Sequence, residues 1–402
     1  MHLKRFITDH AKRPEAESLK IIRKEKVAIV GAGPSGLSAA LELKKRGYGV
    51  TLFEELPEAG GMLRWCIPAY RLPRDELNRE IQEILQTGVE LRVNTRVGRD
   101  VTFEELDRAF DIIYLSVGAQ KSSSMNIPGE DAEGVFGAVE FLRAHHLGKE
   151  IKVGKNVAVI GHGIPAVDAA RTAMRLGAKK VTLYIRHDRN DIPTQEWEFE
   201  AASEEGVRVM HLVAPVRVIT QYGRVRGVEL TQMRLDRFDR SGRRHPKPIL
   251  GSEFIEKAET VISAMSQNAD LGFLPEESGI EIDQGTVKVD KNLRTTNVKV
   301  WAGGDMVSGP GRVIDAIKAG RTAARAIDAA IRAANGQEPW IAPAEERMDI
   351  PLKGDEEPVD QPRISMPKTP SKIRRCDFQE VELGYTLEMA LAEACRCLRC
   401  DV

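Results

Sequence analysis

Short apolar runs that stop at glycine punctuate this chain. Val27-Ala28-Ile29-Val30 is apolar without a break, the texture of a strand covered on both faces. It runs into Gly31-Ala32-Gly33-Pro34-Ser35-Gly36 and a helical pattern, LSAALELKKRG. A second strand over residues 48–53 follows and ends at Glu54. The same order returns 130 residues later. There KNVAVI (155–160) leads into Gly161-His162-Gly163-Ile164-Pro165-Ala166, the helical VDAARTAMRLG and the strand KVTLYI (180–185). Further strands are predicted at DIIYLSV (111–117), ETVISA (259–264) and VKVWA (298–302). The last opens onto Gly303-Gly304-Asp305 and a long helical pattern, VIDAIKAGRTAARAIDAAIRAA. Seven prolines between Pro339 and Pro370, with acidic runs such as Asp355-Glu356-Glu357, predict an extended linker. TLEMALAEAC (386–395) predicts a final helix that carries the terminal cysteines.

Each glycine turn sits between a strand and a helix, the context in which GxGxxG binds a dinucleotide. The first glycine allows the tight turn, the second lets backbone approach a pyrophosphate, and the third lets helix and strand pack closely. The pyrophosphate then rests on the free N–H groups of the helix N-terminus. Glu54, 18 residues after Gly36, is placed to accept hydrogen bonds from ribose hydroxyls. This spacing does not separate FAD from NAD. Asp305 favours FAD at the first site, because an Asp before a helix N-terminus can bond a ribityl hydroxyl while the helix faces the flavin pyrimidine edge.

At the second site the third position is Ala166, and the strand ends in Ile185-Arg186-His187-Asp188-Arg189. No carboxylate stands directly at the strand end. Arg186 and Arg189 suit the 2′-phosphate of NADP, while Asp188 leaves NAD open. His162 and the pair His145-His146 read as surface or packing residues. The expected nicotinamide contacts are Gly161, Gly163, Ile164, Pro165, Arg186 and His187.

The segment Gly60-Gly61-Met62-Leu63-Arg64-Trp65-Cys66-Ile67-Pro68-Ala69-Tyr70-Arg71-Leu72-Pro73 resembles a signature of flavoproteins of the glutamate synthase small-subunit type. Ile127-Pro128-Gly129-Glu130-Asp131 and Trp301-Ala302-Gly303-Gly304-Asp305 resemble it too. The likeness covers roughly residues 24 to 335 and roughly the final twenty-five. It implies a flavoprotein with two dinucleotide sites that passes electrons between NAD(P)H and iron–sulfur centres. On the matching positions it implies FAD contacts at Gly31, Gly33, Ser35, Glu54, Gly61, Leu63, Gly118 and Asp305. Pro34, Gly36, Met62, Arg64, Gly304 and Val313 complete the expected flavin set. Cys66 stands where the family usually has glycine, and reads as a packed thiol or a redox group beside the flavin.

The fold expected is α/β, with two Rossmann-like domains, an NAD(P) domain inserted in an FAD domain, and an extended C-terminal tail ending in a helix. The boundaries expected are a basic segment at 1–23, the FAD domain at 24–150 and 258–335, the NAD(P) domain at 151–257, a Pro-rich linker at 336–376 and a cysteine-bearing helix at 377–402. With 59 Lys+Arg against 60 Asp+Glu, the chain has no global basic footprint for nucleic acid. Five cysteines in 402 residues make no disulfide framework. No apolar run approaches the ~20 residues of a membrane span, and no signal peptide is visible, so a cytoplasmic protein is expected.

Three of the five cysteines, Cys395, Cys397 and Cys400, close the chain. A [4Fe–4S] cluster using Cys397 and Cys400, a metal-free docking segment and a mobile dithiol arm all fit this spacing. No CxxC lies near the flavin unit, which disfavours a disulfide reductase with its redox pair beside the flavin. No Ser/His/Asp or paired-carboxylate constellation is present, and hydride exchange between cofactors requires none. With no third domain for an organic substrate, the expected role is the NAD(P)(H)-linked subunit of a larger iron–sulfur oxidoreductase. Glutamate synthase-like, electron-bifurcating and aldehyde oxidoreductase assemblies fit that role. The alternative is a free-standing dithiol reductase that uses the terminal cysteines.

Overall fold

The computed structural model describes residues 2–12, 17–192, 194–238, 244–341 and 362–395. Two five-stranded parallel sheets organise it. The first runs in the order Val300–Ala302, Ile112–Leu115, Lys26–Val30, Gly49–Phe53, Glu90–Arg92. The second repeats that order with Val135–Gly137, Thr260–Ala264, Asn156–Gly161, Lys180–Ile185 and Arg208–His211. In both, the strand before the glycine turn lies at the point where strand order reverses. Ligands of open α/β sheets bind outside the carboxyl ends of the strands at that point.

The strands are continuous apolar runs because helices cover both faces. Val27, Ala28 and Ile29 are fully buried, as are Ile113, Tyr114 and Leu115. Helix Pro34–Lys45 starts on a proline, whose fixed φ suits the first turn, and ends on Lys44 and Lys45, which complement the dipole. Its partner is the 22-residue helix Val313–Ala334. Gly320 makes their approach possible, since a Cβ there would lie 2.1 Å from the carbonyl oxygen of Ser35.

The boundaries expected at 150/151 and 257/258 shift. Val135–Gly137 and Thr260–Ala264 pair with each other, and the latter also with Asn156–Gly161, so both belong to the second sheet. The chain therefore crosses between sheets after Leu115 and returns before Val300. Residues 213–257 add four antiparallel strands, Val213–Gln221, Arg224–Phe238, Arg244–Pro248 and Phe254–Lys257. Their inner face, with Val218, Val228 and Leu230, packs on Ile160 and Tyr184 of the second sheet.

Residues 362–376, expected as linker, are packed. Arg374 is buried and pairs with Glu204 and Glu205, which draws the four-residue helix Ser371–Arg374 onto the second sheet's helices. Beyond it, Phe378 stacks on His145 at 4.4 Å and the Val381 amide donates to the Tyr70 carbonyl at 3.0 Å. The helix Leu387–Cys395 then shares a small core with the N-terminal helix His2–His10, built from Met366, Tyr385, Ala390, Leu3 and Phe6. No helix among the described residues is long and apolar enough to cross a membrane.

Candidate functional site: a cleft between two glycine turns

A cavity of about 1070 Å³ lies between the carboxyl ends of the two sheets. One wall carries Gly31, Gly33, Pro34, Ser35, Glu54, Gly61, Met62 and Leu63, with Gly118, Gly304, Asp305 and Val313. The other carries Gly163, Ile164 and Pro165. Residues far apart in sequence thus meet here because both strand-order reversals point into the same space.

The floor of the first wall is two glycines in contact. Gly61 has φ +53°, and a Cβ on it would lie 2.7 Å from the Gly33 Cα. Bare backbone at this point leaves room for a flat or phosphorylated group against the N-terminus of Pro34–Lys45, which fits the pyrophosphate of a dinucleotide. Glu54 is almost fully buried and holds the turn from below. Its two oxygens accept the Ala32 amide at 2.9 Å and the Leu56 amide at 3.0 Å. Burial raises its carboxyl above the ordinary value, against the lowering effect of those two amides. One lone pair on each oxygen is left for ribose hydroxyls. Asp305 opens a short helix, Asp305–Ser308, and faces the start of Val313–Ala334. Burial raises it too, against a backbone hydrogen bond from Gly311. Ser35 Oγ is bonded to the buried Tyr114 hydroxyl at 2.7 Å, which fixes the first helical turn.

Not every expected contact lines the cleft. Gly36 sits behind it, packed on the Gly31 carbonyl. Arg64 is turned away, because its guanidinium donates to the Ala59 carbonyl at 2.6 Å and to Asn78, and pairs with Glu58. Gly161 and Arg186 border a smaller hollow of about 40 Å³ with His162 and Tyr184. His187 lies beside it, accepting from Arg186 Nε at 3.0 Å, and its ring is 5.1 Å from that of His162. Cys397 and Cys400 lie outside the described residues. Among the described residues no group of three or more His, Cys, Asp or Glu side chains could hold a metal ion.

Cys66 is the one cysteine lining the cleft among the described residues. Burial pushes its thiol up to about 12, with the nearby Asp168 adding to the effect, so it stays protonated and packs as a small hydrophobe. Sequence reasoning missed Thr95, Arg96, Gln120, Arg143, Asp168, Thr194 and Gln195 on the walls. Thr95 and Arg96 follow the strand Glu90–Arg92. The rule that ligands meet strand carboxyl ends would have found them had that short strand been recognised.

His146 stitches the two halves of the cleft: its Nδ1 bonds the Trp65 carbonyl at 3.1 Å, while Nε2 is buried without a partner among the described residues. Burial drives its ring down to about 4, with the carbonyl opposing and Arg74 adding. A histidine depressed from ~6.5 contributes stability that is full above pH ~6.5 and lost as pH falls toward 4. About 3 kcal/mol is at stake by that shift. Melting temperature is expected to fall between pH 6.5 and 4.5, and to fall less in His146→Gln. Parallel melting curves for the two proteins would overturn the assignment.

The family model described as pyridine nucleotide-disulphide oxidoreductase matches residues 25–320. The chain is 42% identical over 399 residues to the NADP(+)-dependent formate dehydrogenase subunit beta of Moorella thermoacetica, covering 96% of this chain and 55% of that protein. It is 35% identical over 350 residues to the glutamate synthase [NADPH] small chain of Escherichia coli strain K12, covering 81% and 73%. This chain thus spans about half the length of the first of these relatives. Among solved structures, Mycobacterium tuberculosis FprA in complex with NADPH superposes with a TM-score of 0.67 at 21% identity, over 80% of this chain and 88% of that one. That likeness is one of fold.

Proposed function

Because the chain belongs to the pyridine nucleotide-disulphide oxidoreductase family, we propose that it is an FAD-containing, NADPH-linked electron-transfer subunit whose other electron site lies on an iron–sulfur partner. One observation carries this reading: both glycine turns, Gly31–Ser35 and Gly163–Pro165 in their strand–helix settings, open onto one cleft. When bound, the two cofactors would supply the redox chemistry, hydride exchange between nicotinamide and flavin and electron delivery to iron–sulfur centres. The chain's part is to bind, orient and exclude water. Gly31, Gly33 and Gly61 would give phosphates access to backbone N–H groups, Glu54 and Asp305 would accept hydrogen bonds from hydroxyls, and Met62, Leu63 and Ile164 supply apolar wall.

NADPH is favoured over NADH by the strand end. Arg186 is exposed there with no carboxylate beside it in the sequence, and the relatives from Moorella and Escherichia carry NADP in their names. Burial and the Arg186 charge hold His187 down at about 4, so it meets the site neutral at pH 7, and a 2′-phosphate beside it would raise that value. Arg186→Ala is expected to weaken NADPH binding about tenfold, about 1.4 kcal/mol, and to leave NADH binding unchanged.

The chain purified with FAD should be yellow, and anaerobic NADPH should bleach it. A colourless chain that takes up no flavin, or a flavin that neither NADPH nor NADH bleaches, would overturn the reading. The alternative, a dithiol reductase acting through the terminal cysteines, rests on Cys397 and Cys400, which lie outside the described residues.

A further inference from the structure

The second half of the loop signature, Tyr70-Arg71-Leu72-Pro73, does not line the cleft. Arg71 instead reaches from the flavin-side loop into the helices of the second sheet. Its Nε and Nη2 donate to Asp168 Oδ1 at 3.0 and 2.7 Å, and its Nη1 and Nη2 donate to the two oxygens of Glu198 at 2.7 and 2.8 Å. The carboxylates are almost sealed, at 3% and 2% exposure. Two buried carboxylates therefore share one guanidinium, with the Tyr70 hydroxyl 3.3 Å from Asp168 Oδ1. Planar two-pronged pairing of this kind fixes direction as well as distance.

The two carboxylates stand on the opposite wall of the cleft. Asp168 lies one turn after Ile164 on Ile164–Arg175 and itself lines the cavity. Glu198 lies on Glu196–Glu204, directly after Thr194 and Gln195, which also line it. On Arg71's own side, residues 61–63, 66 and 67 are wall. One guanidinium thus spans both walls from behind.

We propose that Arg71 is a positioning residue for hydride transfer. It sets the spacing between the flavin wall at 61–67 and the nicotinamide wall at 163–168 and 194–195. It also neutralises Asp168, so that phosphates entering the Gly163 turn do not meet a bare carboxylate. The inference rests on the functional reading above, that both dinucleotides occupy this cleft. Reacting atoms must approach to ~3–3.5 Å, and a misplacement of ~1 Å from a remote change can cost about a hundredfold in rate. A lysine at 71 offers one point charge and cannot bridge Asp168 and Glu198 together.

The test uses the full chain loaded with FAD, mixed anaerobically with NADPH in a stopped-flow instrument. Two variants are needed, Arg71→Lys and the triple Arg71→Met/Asp168→Asn/Glu198→Gln, which removes the buried charges along with the fork and so protects folding. Both are expected to slow the limiting bleaching rate at least tenfold, with NADPH Kd within about twofold of wild type. Amide hydrogen exchange of the chain before nicotinamide is added should rise at both 62–67 and 164–168. A folded, flavin-loaded variant with the wild-type bleaching rate, or with exchange unchanged at both walls, would overturn the proposal. A wild-type chain that holds flavin but is not bleached by NADPH would instead overturn the functional reading.

Discussion

Glu205→Leu is expected to lower the melting temperature by roughly 10 °C or to prevent folding, from a loss of about 3–5 kcal/mol. Glu205 is fully buried, and three guanidinium groups converge on it. Arg171 donates to it at 2.6 and 3.0 Å, Arg175 at 2.6 and 3.2 Å, and Arg374 stands 3.2 Å away. The Arg171 and Arg175 guanidinium carbons also lie 4.5 and 4.0 Å from the Tyr70 ring centroid. Without the carboxylate, three cations would share a sealed space, which is the costly direction in which to break a buried ion pair. Burial alone would raise the Glu205 carboxyl, but Arg171 and Arg175 outweigh it and hold the group below its ordinary value. Its stabilisation is therefore present above the usual carboxylate range and is lost as pH falls through the lowered value. Glu205→Gln, which keeps some hydrogen bonds, should cost less than the leucine. A melting temperature within ~3 °C of wild type for Glu205→Leu would remove the assigned role.

Gly36→Ala should abolish flavin retention while leaving the second sheet folded. A Cβ at 36 would lie 2.0 Å from the Gly31 carbonyl oxygen and 2.8 Å from Ser116 Oγ. Backbone cannot give way by that amount without lifting Pro34–Lys45 off its strand and opening the pyrophosphate seat. The expected readout is a protein purified with less than roughly a tenth of wild-type flavin, measured by absorbance after denaturation. The third position of the second turn provides a contrast, since Ala166 occupies it, fully buried, with its methyl accommodated. Full flavin content in Gly36→Ala would show that the helix can move without losing the site.

The two turns were legible because their chemistry is local. A strand, a glycine turn and a helix lie within thirty-odd residues of one another, and the apolar run of residues 27–30 has no competing helical reading. The antiparallel strands over 213–257 were not legible, for a physical reason. Register shifts between Ile219 and Thr220 and between Pro215 and Arg217 break the two-residue alternation, so Val225 and Val228, three apart, both point inward. Sheet membership was also hidden. Nothing local tells residues 135–137 to pair with Thr260–Ala264, more than a hundred residues on. The packing of residues 362–376 depends on Arg374 finding Glu204 and Glu205, and a proline-rich texture conceals such a long-range pair. Arg71 stood within a recognised motif, yet its work lies across the cleft from the groups that motif suggests.

The double crossing between sheets sets an order in time. On the ribosome the second sheet has all five strands once Ala264 has emerged. The first sheet still lacks its edge strand Val300–Ala302 and its covering helix Val313–Ala334. At ~5–20 residues per second, that leaves a few seconds in which Ile112–Leu115 is an open edge beside a finished neighbour. The half of the molecule that begins first is completed last, and the nascent chain carries an exposed apolar strand until its own late segment arrives to cap it.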